Sequence, residues 1–249
     1  MRRILLCALT ATVFCGLTVR EAVEQNIPLV FSRQTAMQTL REQFDSSLSP
    51  PSYLAEHLHA LRQLAAQAGG SAAEMGSRGS GSAWALMLGL VSASEGAPPG
   101  APAPLLRTGA PWQGAPRDPL AALLPQLGRA LGVDAAQVEG GALPPPVGLL
   151  LVDGARCHGA LARDLAALAP RATRFLVVAG TEDAGLVSEA VAAGRELGAE
   201  AVALGLRGQL EAAAGLKGAL FDLLAGGGWR VTAHFPNAGG LTILSRLEK

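Results

Sequence analysis

The chain has 249 residues, and its 20 lysines and arginines balance its 20 aspartates and glutamates, so the formal net charge is zero. An apolar share of 49% is enough for a sizeable core, while the charge balance leaves no basic stripe for nucleic acid. Cys7, Cys15 and Cys157 are too few and too scattered for a disulfide framework or a zinc site, and no metal is expected.

Arg2 and Arg3 precede the uncharged run Ile4–Val19, which Arg20 and Glu21 close. Basic residues before an apolar stretch describe a signal peptide or signal anchor over residues 1–20. That reading predicts a secretory-pathway or single-pass membrane-anchored protein, attached to the membrane through this segment. Residues 21–48 are read as a polar, helical stem, and residues 49–249 as the domain.

Ser49-Pro50-Pro51-Ser52 breaks the chain, and Ser52 can cap a helix running to Gln67. Leu54, Leu58, Leu61, Leu64 and Ala65 share one face of that helix. Gly69-Gly70 stop it, and Ala72–Met75 reads as a short strand. The loop Gly76–Gly81 follows, with Ser82 as the cap of a helix over Ala83–Leu90. Residues 95–119 are rich in Pro and Gly and read as a long loop, with a short strand near Leu105–Thr108. A helix is predicted over Asp118–Leu131 and a brief strand over Ala136–Val138.

Val147–Val152 is a continuous apolar run that suits a strand buried on both faces. Cys157–Ala169 is a predicted helix and Arg174–Val178 another buried strand. Ala184–Leu197 and Gly215–Leu224 read as helices. Trp229–His234 and Leu241–Arg246 read as a terminal hairpin around Pro236-Asn237-Ala238-Gly239-Gly240. Repeated strand–helix units imply a parallel sheet, to which the hairpin adds an antiparallel strand.

The segment Glu74-Met75-Gly76-Ser77-Arg78-Gly79-Ser80-Gly81-Ser82 leaves a strand and opens a helix, which is the setting a cofactor loop needs. Glycines let the backbone turn sharply beside a ligand, and a helix start offers free N–H groups. Glu74 can accept from a ligand amine. Glu74, Gly76, Ser77, Arg78, Gly79, Gly81 and Ser82 are therefore the candidate cofactor-binding residues. A plain surface turn in a glycine-rich chain has the same composition.

Several motifs together resemble a branch of the class I S-adenosylmethionine-dependent methyltransferases, the macrocin O-methyltransferase and cephalosporin hydroxylase group. They are Glu56-His57-Leu58, Glu74-Met75-Gly76-Ser77-Arg78-Gly79, Leu151-Val152-Asp153, and Gly228-Trp229-Arg230 followed by Asn237 to Leu244. The resemblance covers about Ser49–Leu247. It implies an α/β fold with a doubly wound, mostly parallel seven-stranded Rossmann-like methyltransferase sheet and a C-terminal antiparallel hairpin. It also implies S-adenosylmethionine as cofactor. The chain departs from the branch where Arg156 replaces a His, where His158 replaces a Tyr, and where Ala179-Gly180-Thr181 stands for the usual His-Asp-Thr. No acid can be assigned to the ribose hydroxyls at the end of the second strand.

Asp153, His158 and Arg156 are the candidate catalytic residues. Asp153 ends a central strand, where open α/β sheets bind ligands, and it can equally cap the following helix. His158 can titrate near neutrality or lie on a solvated helix face. Arg156 can clamp an anion or be a surface charge. Cys157, His57, His59 and Trp229 read as structural residues, and His234 as a strand residue able to face the pocket mouth.

The leading function is methyl transfer to the hydroxyl of a small molecule or glycan. A catalytically degenerate binding or scaffold domain is the alternative, and a nucleotide-cofactor domain of the NAD type is a third.

Overall fold

A computed structural model describes residues 29–49, 54–76, 81–94, 103–108, 123–138, 144–153, 158–181 and 215–248. The described helices are α1 (Arg33–Ser47), α2 (Leu58–Gln67), α3 (Gly81–Ser94), α4 (Leu124–Leu131), α5 (His158–Leu168) and α6 (Gly215–Ala225). Short 3-10 turns lie over Ala55–His57 and Ala169–Arg171. The strands are β1 (Ala72–Met75), β2 (Ala103–Thr108), β3 (Val133–Val138), β4 (Val147–Val152), β5 (Ala172–Ala179), β6 (Trp229–Phe235) and β7 (Leu241–Arg246).

The strands form one seven-stranded sheet in the order β3-β2-β1-β4-β5-β7-β6. Strands β1 to β5 pair with one another in parallel, and β7 is antiparallel to both β5 and β6. Two apolar clusters flank the sheet: one gathers side chains of α1 to α4, the other those of α5 and α6. This is the α/β, doubly wound, mostly parallel sheet with a C-terminal antiparallel pair that the sequence predicts. The chain order reverses between β1 and β4, so their carboxyl ends open a crevice.

Local sequence accounts for the central elements. All six residues of Val147–Val152 are buried, as a strand covered on both faces requires. Leu58, Leu61 and Ala65 form the buried stripe of α2. Helix α3 is buried continuously from Ser82 to Val91, so it is apolar on every side and lies inside the fold. A Cβ added at Gly89 of α3 would lie 2.3 Å from the Arg62 carbonyl oxygen and 2.6 Å from the Ala65 Cβ, so α2 and α3 meet backbone to backbone.

Residues 33–47 of the expected helical stem form α1, whose N-cap Ser32 Oγ accepts from the Thr35 N–H at 3.1 Å. Ala36, Leu40 and Phe44 of α1 are buried in the core, so this segment packs on the domain. Strand β3 begins at Val133 rather than Ala136. Ser82 lies inside α3, which runs past Leu90 to Ser94.

Against the expected secretory or single-pass membrane-anchored location, no helix among the described residues is long and apolar enough to cross a membrane. The Ile4–Val19 run and the expected helix over Ala184–Leu197 lie outside the described residues.

Candidate functional site

The carboxyl ends of β1 and β4 bring two sequence-predicted features together. Met75, the last residue of β1, pairs with Val152, the last of β4. The next residue, Asp153, donates its backbone N–H to the Met75 carbonyl at 2.8 Å and is 5% exposed. The start of the glycine loop and the candidate acid are thus joined at the reversal point of the sheet. Gly76, with φ +78, makes the turn that starts the loop, a conformation that favours glycine.

Glu74 is 1% exposed. Its Oε1 accepts from the Ser82 hydroxyl, in the first turn of α3. Its Oε2 accepts from Arg107 Nε at 3.0 Å. Arg107 is the register partner of Glu74 on β2, and its side chain is 21% exposed. A buried carboxylate needs a partner of opposite charge and hydrogen-bond donors, and the neighbouring strand supplies the cation and the helix a second donor.

Of the predicted cofactor residues, the structure brings together Glu74, Gly76, Gly81 and Ser82. Ser77, Arg78 and Gly79 lie outside the described residues, as do Arg156 and Cys157. His158 is the first residue of α5. Arg107 escaped the sequence reading because it lies in the Pro- and Gly-rich stretch, where no motif marks it. A strand prediction near Leu105–Thr108 was its only signal. Strand β2 ends at Thr108, and no acid stands at its carboxyl end among the described residues.

The end of β5 carries Thr181, which is fully buried where the resembled branch has its His-Asp-Thr threonine. The Thr242 hydroxyl donates to Thr181 Oγ1 at 3.1 Å and contacts His234 Nδ1 at 2.9 Å. The Gly180 N–H donates to the Gly240 carbonyl at 2.8 Å, tying β5 to the hairpin turn.

That turn is held from the other side by the segment before α2. His57 is 1% exposed, and its Nε2–H donates to the Asn237 carbonyl at 2.9 Å. The Asn237 amide donates to the Glu56 carboxylate, and the His57 ring lies 5.9 Å from the Phe235 ring. Burial pushes the His57 pKa below its ordinary value, against the opposing pull of the Asn237 carbonyl and Glu56. Glu56-His57 and Asn237, two of the motifs quoted above, are therefore in contact.

No protein-family model matches the chain, and no curated protein does. Among solved structures, the chain is similar to an O-methyltransferase from Bacillus cereus in complex with SAH, at 10% identity over 96% of each chain with a TM-score of 0.46. It is also similar to TomG, an O-methyltransferase from Streptomyces achromogenes in complex with SAM. There the identity is 16%, over 96% of this chain and 95% of that one, with a TM-score of 0.47. A third is the SAH-bound methyltransferase PaMTH1 of Podospora anserina, at 15% identity over 100% of each chain with a TM-score of 0.44. At such identities none of them transfers a residue's role or an activity to this chain.

Proposed function

We propose that the chain is an S-adenosylmethionine-dependent methyltransferase acting on the hydroxyl of a small molecule or glycan. The observation that carries this reading is the junction of the Glu74–Gly76 turn with Asp153 across the reversal point of the sheet. Open α/β sheets bind their ligands there.

The residues present fit the amino-acid end of such a cofactor. Glu74 is a buried carboxylate at the strand end for an ammonium group, Gly76 turns the backbone, and the start of α3 at Gly81 is a helix N-terminus, which suits a polar ligand. Ser77, Arg78 and Gly79 would complete the cradle, with Ser82 beside Glu74. When bound, the cofactor supplies a methyl group on a sulfonium. The chain's own task is to hold the acceptor in line and deal with its hydroxyl proton. Asp153 would orient that hydroxyl or take its proton, and much of the acceleration would come from positioning. His158 and Arg156, which follow Asp153 in sequence, are the further candidates on the acceptor side.

A second reading, a catalytically degenerate binding domain, is favoured by one observation. Both Glu74 oxygens are engaged within the chain, by Ser82 and Arg107.

Calorimetric titration of the full chain with S-adenosylmethionine, S-adenosylhomocysteine and NAD tests the cofactor. S-adenosylhomocysteine is expected to bind, and Gly79→Val to abolish binding, because a branched side chain blocks close approach to the loop. Equal binding by the wild type and Gly79→Val would sink the placement. Binding without turnover across a broad set of hydroxyl acceptors would favour the second reading.

A further inference from the structure

Arg107 and Ser82 divide the Glu74 carboxylate between them. Oε2 faces β2 and accepts from Arg107 Nε at 3.0 Å, while Oε1 faces the first turn of α3 and accepts from the Ser82 hydroxyl. Residues 74 and 107 are held opposite each other by the parallel register of β1 and β2, so the ion pair is set by the sheet. With its Nε on Oε2, the guanidinium fixes the plane and direction of the carboxylate. A carboxylate oxygen has two lone pairs. Oε1 can therefore keep the Ser82 hydroxyl and still accept from a ligand.

We propose that Arg107 is a positioning residue for the ligand, holding Glu74 so that Oε1 meets the ligand's ammonium group. The proposal rests on the reading that an S-adenosyl amino acid binds here. It assigns to β2 a task other than gripping ribose: the strand presents a cation to its neighbour strand, which in turn presents an anion to the ligand's amino-acid end. Without Arg107, the buried Glu74 carboxylate loses its charged partner and is left to turn wholly onto Ser82. That turn takes Oε1 out of line with the ammonium. The adenosine part of the ligand, which carries no ammonium, would notice little.

The test compares two probes on the full chain by calorimetry. S-adenosylhomocysteine carries the amino-acid end, and 5′-methylthioadenosine is the same adenosine thioether without it. Arg107→Gln is expected to weaken S-adenosylhomocysteine roughly tenfold or more, the scale of a charge-assisted hydrogen bond, and to leave methylthioadenosine binding as in the wild type. Arg107→Lys keeps the charge and should restore part of the loss. Glu74→Gln should show the same selective loss, and the double variant Glu74→Gln/Arg107→Gln should be no weaker than Glu74→Gln alone, because the two residues act as one unit.

Unchanged S-adenosylhomocysteine binding in Arg107→Gln overturns the proposal. Loss of both probes by the same factor also overturns it, since that is the mark of a structural or adenosine-side role. Should Arg107→Gln fail to fold, Arg107→Lys and Glu74→Gln carry the same two-probe comparison. A wild type that binds neither probe overturns the cofactor reading and this proposal with it. A wild type that binds both, with no discrimination among the variants, overturns the role of Arg107 alone.

Discussion

Asp153 is the residue on which the proposed chemistry rests. Its backbone is tied to Met75 at the crevice, and its side chain is the acid nearest in sequence to the end of β4. Asp153→Asn keeps the shape and removes the charge. Methyl transfer is expected to fall on the order of 100-fold, while binding of S-adenosylhomocysteine changes far less. Turnover equal to the wild type would remove Asp153 from the mechanism. Glu74 is legible in the sequence because it leads into the glycine-rich segment, and Asp153 because it follows a continuous apolar run. Arg107 was not legible in this way. An arginine among prolines and glycines looks like any surface charge until the β1–β2 register sets it beside a buried acid.

Among the described elements, α2 and α3 meet backbone to backbone at Gly89. A methyl group there would strike the Arg62 carbonyl oxygen and the Ala65 side chain, and neither backbone can give way without shifting its helix. Gly89→Ala is expected to destabilise the fold by about 1–3 kcal/mol, the usual cost of overpacking, visible as a lower Tm. A melting temperature equal to the wild type would show that the two helices have slack at this point. Gly148 is a second such position: a Cβ there would lie 1.6 Å from the Ala68 carbonyl oxygen. Its substitution by Ala should distort the start of β4 and also lower Tm. The stripe of α2 and the apolar run of β4 were plain in the sequence. Helix α1 reads as a polar helical stem because its polar residues outnumber the stripe of Ala36, Leu40 and Phe44, which is narrow but enough to dock it.

At the scale of the whole molecule, His57 and Asn237 join the front of the domain to its terminal hairpin across 180 residues. The clasp carries a pH dependence. Burial lowers the His57 pKa in the folded state below its ordinary 6.5, so the native protein holds the ring neutral where the unfolded chain would protonate it. The stability from this group is therefore complete above about pH 6.5 and declines as the pH falls through the unfolded value. Thermal melts between about pH 8 and about pH 5 should show Tm falling at the acid end, and His57→Gln should flatten that part of the profile. An identical acid-side slope in wild type and variant would exclude His57 as the cause.

Local pattern in the sequence determined the elements and the class of fold. An apolar run, a helical stripe or a glycine turn reports the burial of its own segment, and repeated strand–helix units followed by a hairpin imply the mixed sheet. Only the tertiary structure decided the partnerships. Glu74 meets Arg107 through strand register, Asn237 meets Glu56 and His57 through the path of the chain, and Ser82 turns to Glu74 instead of capping its helix. The physical reason is that a polar side chain's role depends on which group stands opposite it at about 3 Å, and for these residues that group comes from a distant part of the chain.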